Sequence, residues 1–266
     1  MSKITQCNTS VSLTKFFDKP FREKWGLDEY YTDVNKPTIF FGVYNTEEYL
    51  RVINHKSLAV VVWGGSDSMA LSPVISALNL PHIKHISGSK WITNDLEKAG
   101  IKPIYLPISC ADNSKLQLKA QPLGECIYVY TAEGQGAYFY GKDYYQRLME
   151  KYGTKIFYIS TAHTYTRDQL YNTVLPNCFI GLRIVPHDGL SETVSELGLM
   201  GRRVIYNGCE PNALNYTSYE DIIEHIENER KYIGETHEFV AEKMRKFLEI
   251  GNEWLNTEYY ENREKR

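Results

Sequence analysis

Two acidic residues, Asp188 and Glu196, lie eight positions apart at the junction between a predicted strand and a predicted helix. The strand CFIGLRIVP ends just before Asp188, Gly189 completes the turn, and the helix is expected over about residues 190–200, where Gly201 stops it. The first turn of such a helix has free N–H groups and a partial positive charge, which suit a phosphate. Glu196 lies about two helical turns beyond Asp188, so both carboxylates can face one ligand. Because carboxylates accept hydrogen bonds from vicinal hydroxyls, the junction predicts a diphosphate flanked by two sugars.

The elements that must position this junction alternate regularly from Lys36 onwards, after an opening that we expect to be irregular. In the first series, four apolar runs predict strands: PTIFFGVY, LAVVVWGG, HIKHIS and IKPIYLPI. Helices are expected between these strands, over residues 45–55, 66–78 and 92–100. In the second series the predicted strands are ECIYVYT, KIFYIS, CFIGLRIVP and RVIYNG. Helices are expected between them and over residues 218–233, and a long final helix over about residues 236–259.

This alternation predicts an α/β fold with two Rossmann-like βα domains in tandem, because strands that alternate with helices form parallel sheets. We place the first domain at residues 1–115, the second at 116–235 and a returning C-terminal helix at 236–266. The aperiodic run at residues 109–124 is the expected connection. Ligands of such sheets bind at the carboxyl ends of the strands, so a cleft between two sheets is the expected site.

Composition excludes several other classes of protein. The net charge of −3 argues against a general nucleic-acid footprint. Five widely spaced cysteines without a C-x-x-C pair argue against a disulfide framework and a structural zinc site. The N-terminus has no apolar signal core, and the longest apolar run, LAVVVW, is too short to span a bilayer. We therefore expect a soluble cytoplasmic protein without a transmembrane segment, with loose peripheral membrane association left open.

The junction also resembles a known motif. Asp188-Gly189-Leu190-Ser191, then Glu196 within ELGLMG and the strand RVIYN, are similar to the E-x7-E region of retaining glycosyltransferases of the two-domain GT-B fold, especially the family 4-like group. This chain has Asp where that family has its first Glu. The resemblance implies that Asp188 contacts the donor sugar, that Glu196 holds the nucleotide ribose, and that the N–H groups of Gly189, Leu190 and Ser191 hold the diphosphate.

Two further loops carry candidate residues. GAYFYGKD nearly fits a nucleotide-triphosphate loop, but Asp143 stands where a magnesium-binding hydroxyl is needed. Since GT-B enzymes commonly place a basic residue in this loop, Lys142 is the candidate for the donor diphosphate, and a surface lysine is the alternative. In WGGSD, Gly64 and Gly65 allow close approach of a ligand. Ser66 and Asp67 are candidates for sugar contacts, with Asp67 a catalytic candidate beside Asp188. A tight turn with a helix cap is the alternative.

Three histidines are further candidates for the site. His187 adjoins Asp188, His163 lies in a loop near the expected nucleobase pocket, and His85 ends a first-series strand. A structural role is the alternative for each. Histidine and cysteine spacing indicates no metal site, and no cofactor is expected beyond the donor.

We therefore interpret the chain as a metal-independent glycosyltransferase that moves a sugar from a nucleoside diphosphate sugar to an acceptor hydroxyl, with retention implied by the resemblance. The acceptor is a glycan, a lipid-linked molecule or a protein. The identities of the sugar, base and acceptor lie beyond the sequence. Two alternatives remain, a non-catalytic binding or scaffold protein of the same fold and a GT-B-like sugar-nucleotide epimerase, which needs an additional acid/base pair.

Overall fold

The computed structural model describes residues 3–30, 32–109 and 118–264. The chain forms two compact units. The first comprises Met1–Asp112, His187–Leu190 and Glu249–Arg266, and the second comprises Asn113–Pro186 and Ser191–Leu248. Each unit contains one sheet whose strand pairs are all parallel, so the predicted α/β class with two βα sheets is confirmed. Of the expected connection, residues 110–117 lie outside the described part of the chain.

The sheet of unit 1 has six strands in the order β2-β1-β3-β4-β5-β6. These strands are β1 (Gln6–Thr9), β2 (Asp28–Glu29), β3 (Thr38–Phe41), β4 (Ala59–Val62), β5 (Ile83–Ser87) and β6 (Ile104–Tyr105). The helices between them are α1 (Val11–Trp25), α2 (Thr46–Ile53), α3 (Asp67–Ala70) and α4 (Lys90–Lys98). The side chain of Asn45 caps α2, because its Oδ1 accepts a hydrogen bond from Glu48 N.

The two faces of this sheet carry separate apolar clusters, because successive residues of a strand point to opposite faces. In β3, Ile39 and Phe41 pack into one cluster and Phe40 into the other. Strands buried on both faces read as continuous apolar runs, which is why TIFF and AVVV predicted this sheet well.

The sheet of unit 2 has five strands in the order β11-β10-β9-β7-β8. The strands are β7 (Cys126–Tyr130), β8 (Phe157–Ser160), β9 (Cys178–Leu182), β10 (Arg203–Ile205) and β11 (Ala213–Leu214). The helices are α5 (Gly136–Phe139), α6 (Lys142–Tyr152), α7 (Arg167–Gln169), α8 (Glu192–Leu199), α9 (Tyr219–Arg230) and α10 (Glu238–Leu248). The side chain of Ser218 caps α9 with a full capping box. A Cβ atom at Gly181 would lie 2.5 Å from Leu197, so glycine in β9 is what lets α8 pack closely on the sheet.

The sequence-based predictions for the N-terminal and C-terminal segments were wrong. The opening is regular, since β1, α1 and β2 precede Lys36. The apolar pattern was obscured because β1 is partly polar and Pro20 lies inside α1. The long C-terminal helix is divided near Gly251 into α10, a 3₁₀ turn over Glu253–Leu255 and α11 (Thr257–Glu264).

The two halves of this C-terminal segment also pack in different places. Helix α10 belongs to unit 2 and packs on α8. The turn and α11 belong to unit 1, where Trp254 packs edge-on against Trp25 and Ile4 N donates to Leu255 O at 2.7 Å.

Candidate functional site

The junction after β9 differs in detail from the prediction. Helix α8 begins at Glu192, two residues later than expected, and the side chain of Ser191 caps it by accepting from Val194 N at 3.4 Å. The Gly189 N–H donates to Asp188 Oδ1 at 3.0 Å. Gly189 and Leu190 therefore precede the helix, while Ser191 forms the cap. A ligand anion at this helix start would meet the first-turn N–H groups that follow Ser191.

Glu196 lies in the middle of α8 and is buried, with 9% of its surface exposed. The hydroxyl of Tyr171 donates a hydrogen bond to Glu196 Oε1 at 2.5 Å. Burial raises the pKa of Glu196 to about 7, while the bond from Tyr171 acts in the opposite direction. A buried carboxyl group with a raised pKa, on the helix that follows a strand of a parallel sheet, is a candidate for a functional site.

Tyr171 is a residue that the sequence reasoning missed. The run TRDQLYNTVLP predicted one helix, but it forms the short helix α7 followed by a π-helical turn over Leu170–Val174. The turn carries Tyr171 to Glu196, and such turns occur frequently at functional sites. Burial and the neighbouring carboxylate both raise the pKa of the Tyr171 hydroxyl, so it remains a proton donor. The sequence signal was a tyrosine within a run ending in Pro, which is too common to single out.

Two cations lie near the carboxyl ends of β7 and β9. Arg183 directly follows β9 and is buried, with its guanidinium 4.9 Å and 4.8 Å from the ring centres of Tyr130 and Tyr140. Lys142 is the first residue of α6, with its Nζ 5.1 Å from the ring centre of Tyr138. Aromatic rings thus hold both cations, and a planar guanidinium is suited to a phosphate. Arg183 was missed because an arginine ending a strand run has no distinctive spacing.

Neither His163 nor His85 is placed in contact with Glu196. His163 is exposed, and its backbone N–H donates to Thr161 Oγ1 at 3.3 Å. His85 is buried in unit 1, where Nδ1 accepts from Trp63 Nε1 at 3.2 Å and Nε2 pairs with Leu78 O at 3.1 Å. Burial lowers the pKa of His85 to about 4, so this ring is a neutral structural residue.

In unit 1, the buried side chain of Asp67 binds the backbone of the WGGSD loop. It is fully buried, and its carboxylate accepts four backbone N–H bonds of 2.8–3.2 Å, from Val43, Gly64, Gly65 and Ser68. Burial raises the pKa of Asp67 although these four bonds lower it. This geometry gives Asp67 a loop-positioning role, because its side chain has no surface left for a sugar. Ser66 is exposed and makes no capping bond with its side chain.

The space beside Gly64 and Gly65 is filled by the chain itself. A Cβ atom at Gly189 would lie 2.4 Å from Gly64 O, and one at Gly65 would lie 3.1 Å from Gly189 N. The side chain of Ser89 also donates to Asp188 O at 2.7 Å. The glycine pair therefore permits the segment His187–Leu190 to approach this loop of unit 1.

His187 forms a cluster with Asp95 and Ser68. Its Nε2 lies 2.8 Å from Asp95 Oδ2 and 3.4 Å from Ser68 Oγ, and Ser68 Oγ donates to the same carboxylate oxygen at 2.8 Å. A cavity of about 380 Å³ in unit 1 is lined in part by Ser68 and Asp95. This arrangement places a histidine against a carboxylate, a contact that spacing in the sequence did not reveal.

The contact between these backbones yields a test of the loop geometry. Substitution Gly189→Ala is expected to lower the free energy of unfolding by about 1–3 kcal/mol, because the new methyl group meets a backbone oxygen that cannot rotate away. Urea denaturation measures the change. Gly136→Ala is the matched control, since its Cβ would meet only the Ala132 methyl group, at 3.0 Å. Equal stabilities of the two variants would contradict the packing described.

A larger cavity, of about 880 Å³, opens at the amino ends of β5 and β6 in unit 1 and includes Lys84, Lys102 and Tyr260 in its lining. We assign it no part in the site, because ligands of parallel sheets bind at the opposite, carboxyl edge. Among residues 3–30, 32–109 and 118–264, no group of three or more His, Cys, Asp or Glu side chains is arranged to hold a metal ion. Within the same part of the chain, every helix is too short or too polar to cross a bilayer.

No family profile matches the chain, and no curated protein sequence is significantly similar to it. Among solved structures, TarM resembles it with 12% identity and a TM-score of 0.49, over 86% of this chain and 53% of that chain. AviGT4, a glycosyltransferase involved in avilamycin A biosynthesis, has 12% identity and a TM-score of 0.45, over 86% and 83%. The sucrose-phosphate synthase of Thermosynechococcus elongatus has 10% identity and a TM-score of 0.46, over 96% and 76%. The chain thus spans about half the length of TarM.

Proposed function

We propose that this protein is a glycosyltransferase of the GT-B type, which transfers a sugar from a nucleoside diphosphate sugar to an acceptor hydroxyl. The observation that carries the proposal is the Glu196 carboxylate, which lies on the helix that follows β9 and accepts a hydrogen bond from Tyr171. A carboxylate at this place in a parallel sheet is suited to accept hydrogen bonds from a ribose. The high pKa of Glu196 supports a ligand role, because burial of this group opposes ionisation and adds nothing to stability.

The remaining roles follow from chemistry and from the motif. The first-turn N–H groups of α8, together with Lys142 and Arg183, would neutralise the departing diphosphate electrostatically and without a metal ion. Asp188 keeps its proposed contact with the sugar, and Gly189, Leu190 and Ser191 remain in the proposed phosphate segment. Retention of anomeric configuration is part of the proposal and rests on the motif. The acceptor is a glycan, a lipid-linked molecule or a protein.

A thermal-shift panel of UDP-, GDP-, ADP- and dTDP-sugars tests the proposal. A ligand that binds only the folded state adds about 2.7 kcal/mol of stability at one hundred times its Kd. One nucleotide class is expected to raise the melting temperature of the wild type and to leave that of Glu196→Ala unchanged. Turnover of that donor with added acceptors then measures transfer. Binding without turnover would favour the scaffold alternative, and no binding at all would refute the donor site.

A sugar-nucleotide epimerase is the second candidate, and the His187–Asp95 pair is the observation that favours it. Such an enzyme needs a base that removes a proton from a sugar carbon, and an imidazole oriented by a carboxylate can serve. Incubation of the bound donor in D₂O without acceptor separates the two functions. An isomerised, deuterium-labelled sugar nucleotide would establish the epimerase, whereas unchanged donor would exclude it.

A further inference from the structure

The Tyr171 hydroxyl occupies one of the two carboxylate oxygens of Glu196. It donates to Oε1 at 2.5 Å, and no donor in the described part of the chain reaches Oε2. Glu196 is 9% exposed, and Oε2 is not completely buried, so part of the surface of this oxygen remains accessible. The protein therefore holds one oxygen of this carboxylate and leaves the other available to a ligand.

The groups around Glu196 determine when that oxygen can accept a hydrogen bond. Tyr171 and Arg167 favour the ionised carboxylate, and Glu192 on the same helix opposes it. Tyr128 on β7 also faces this charge. Burial is the largest influence and raises the pKa of Glu196 to about 7, while the Tyr171 bond is the strongest influence that lowers it. Loss of that bond would raise the pKa of Glu196 further, and a protonated carboxyl group is a poorer acceptor.

We propose that Tyr171 is the positioning residue that keeps Glu196 ready to accept a ribose hydroxyl, and that the pair selects ribonucleotides over 2′-deoxyribonucleotides. This inference rests on the proposed function. A 2′-deoxy ligand covers Oε2 without supplying the hydroxyl, so a charged oxygen is desolvated without a partner. Sites built to bond a hydroxyl reject analogues that lack it for this reason.

The experiment is calorimetric titration of the full chain from pH 5.5 to 9 with UDP, GDP and ADP, each paired with its 2′-deoxy form. In the wild type, the preference for the ribose form is expected to increase as pH rises through about 7, reaching about tenfold or more. In Tyr171→Phe, the midpoint is expected to move upwards by about one pH unit or more, because a hydrogen bond to the carboxylate is lost. The preference should then be small at pH 7.5 and return near pH 9.

Matched variants separate positioning from general damage. Tyr165→Phe removes the hydroxyl of another tyrosine in unit 2, one that makes no bond to Glu196, and it should keep the wild-type midpoint. Glu196→Gln should lose the preference at every pH. The midpoint can also be followed without a ligand. In the wild type the free energy of unfolding should fall between pH 4.5 and about 7, and in Tyr171→Phe this fall should continue to higher pH.

Four outcomes are decisive. A wild-type midpoint in Tyr171→Phe, or a ribose preference that survives in Glu196→Gln, would overturn this inference and leave the proposed function standing. Nucleotide binding without any preference between ribose and deoxyribose would do the same. Failure of every nucleotide to bind the folded wild type would instead refute the proposed function itself.

Discussion

Substitution Arg202→Lys is expected to lower the free energy of unfolding by about 3 kcal/mol or more. Arg202 is fully buried, and all five of its N–H groups donate to backbone carbonyls. The acceptors are the carbonyl oxygens of Gln121, Pro122, Pro176, Cys178 and Met200. Lysine is shorter and has three donors, so several of these carbonyls would be left buried without a partner, each costing about 1–3 kcal/mol.

Two adjacent arginines that follow a helix end, such as Arg202 and Arg203, are usually solvated, so the burial of Arg202 is not what its position in the sequence favours. Burial lowers the pKa of Arg202 to about 10, so it is still a cation at neutral pH. Arg203 is a matched control, because a third of its side chain is exposed and its Nη1 lies 3.7 Å from Glu229 Oε1. Arg203→Lys keeps that charge pair and should cost less than about 1 kcal/mol.

Urea denaturation of both variants at pH 7 measures the difference. The two denaturation slopes should match that of the wild type, which would show that the folded state itself changed in stability. If Arg202→Lys were as stable as Arg203→Lys, the five carbonyls would have to find other donors, and the central role of Arg202 in unit 2 would be wrong.

Substitution Glu196→Gln is expected to weaken donor binding and at the same time to stabilise the fold above neutral pH. The pKa of Glu196 is raised from 4.5 to about 7 by burial, so the folded state binds its proton more tightly than the unfolded state does. Stability is therefore greatest below pH 4.5, falls as pH rises to about 7, and is constant above that. With about 1.4 kcal/mol for each pKa unit, the ionised group costs the folded state up to about 3 kcal/mol.

Glutamine removes this charge but can still accept the Tyr171 bond through its side-chain oxygen. The variant should therefore exceed the wild type in stability at pH 8 and equal it at pH 4, as measured by denaturation at the two values. Glu192→Gln is the control on the same helix, because it removes the same charge from a side chain that is only partly buried, and it should stabilise the fold at pH 8 less than Glu196→Gln does. Loss of stability in Glu196→Gln at pH 8 would show that the carboxylate is structural.

The sequence predicted secondary structure well where local chemistry decides it. The apolar runs of β3 and β4 are buried on both faces, and capping residues such as Asn45 and Ser218 act within three residues of their own position. Helix α1 was not predicted, because a proline such as Pro20 disfavours the interior of a helix. Packing of Phe21 and Trp25 into the core outweighs that local preference.

The candidate site was predictable only in part. Glu196 and the glycines around it follow a recognisable strand–turn–helix spacing, which sequence can show because all its members are close in the chain. Tyr171 lies 25 positions before Glu196, and Asp95 lies 92 positions before His187. Such pairings depend on the parallel strand order and on a π-helical turn, and no periodicity in the sequence encodes them.

The sequence by itself determined the α/β class, most strands, the helix caps and the position of the acidic motif, because these depend on residues near one another. Only the tertiary structure decided that Asp67 lies under its loop, that the glycine pair accommodates Gly189, and that Arg202 is buried. The physical reason is that burial and hydrogen-bond partners are set by distant segments. A carboxylate or guanidinium therefore has the same appearance in sequence whether it faces solvent, a ligand or five backbone carbonyls.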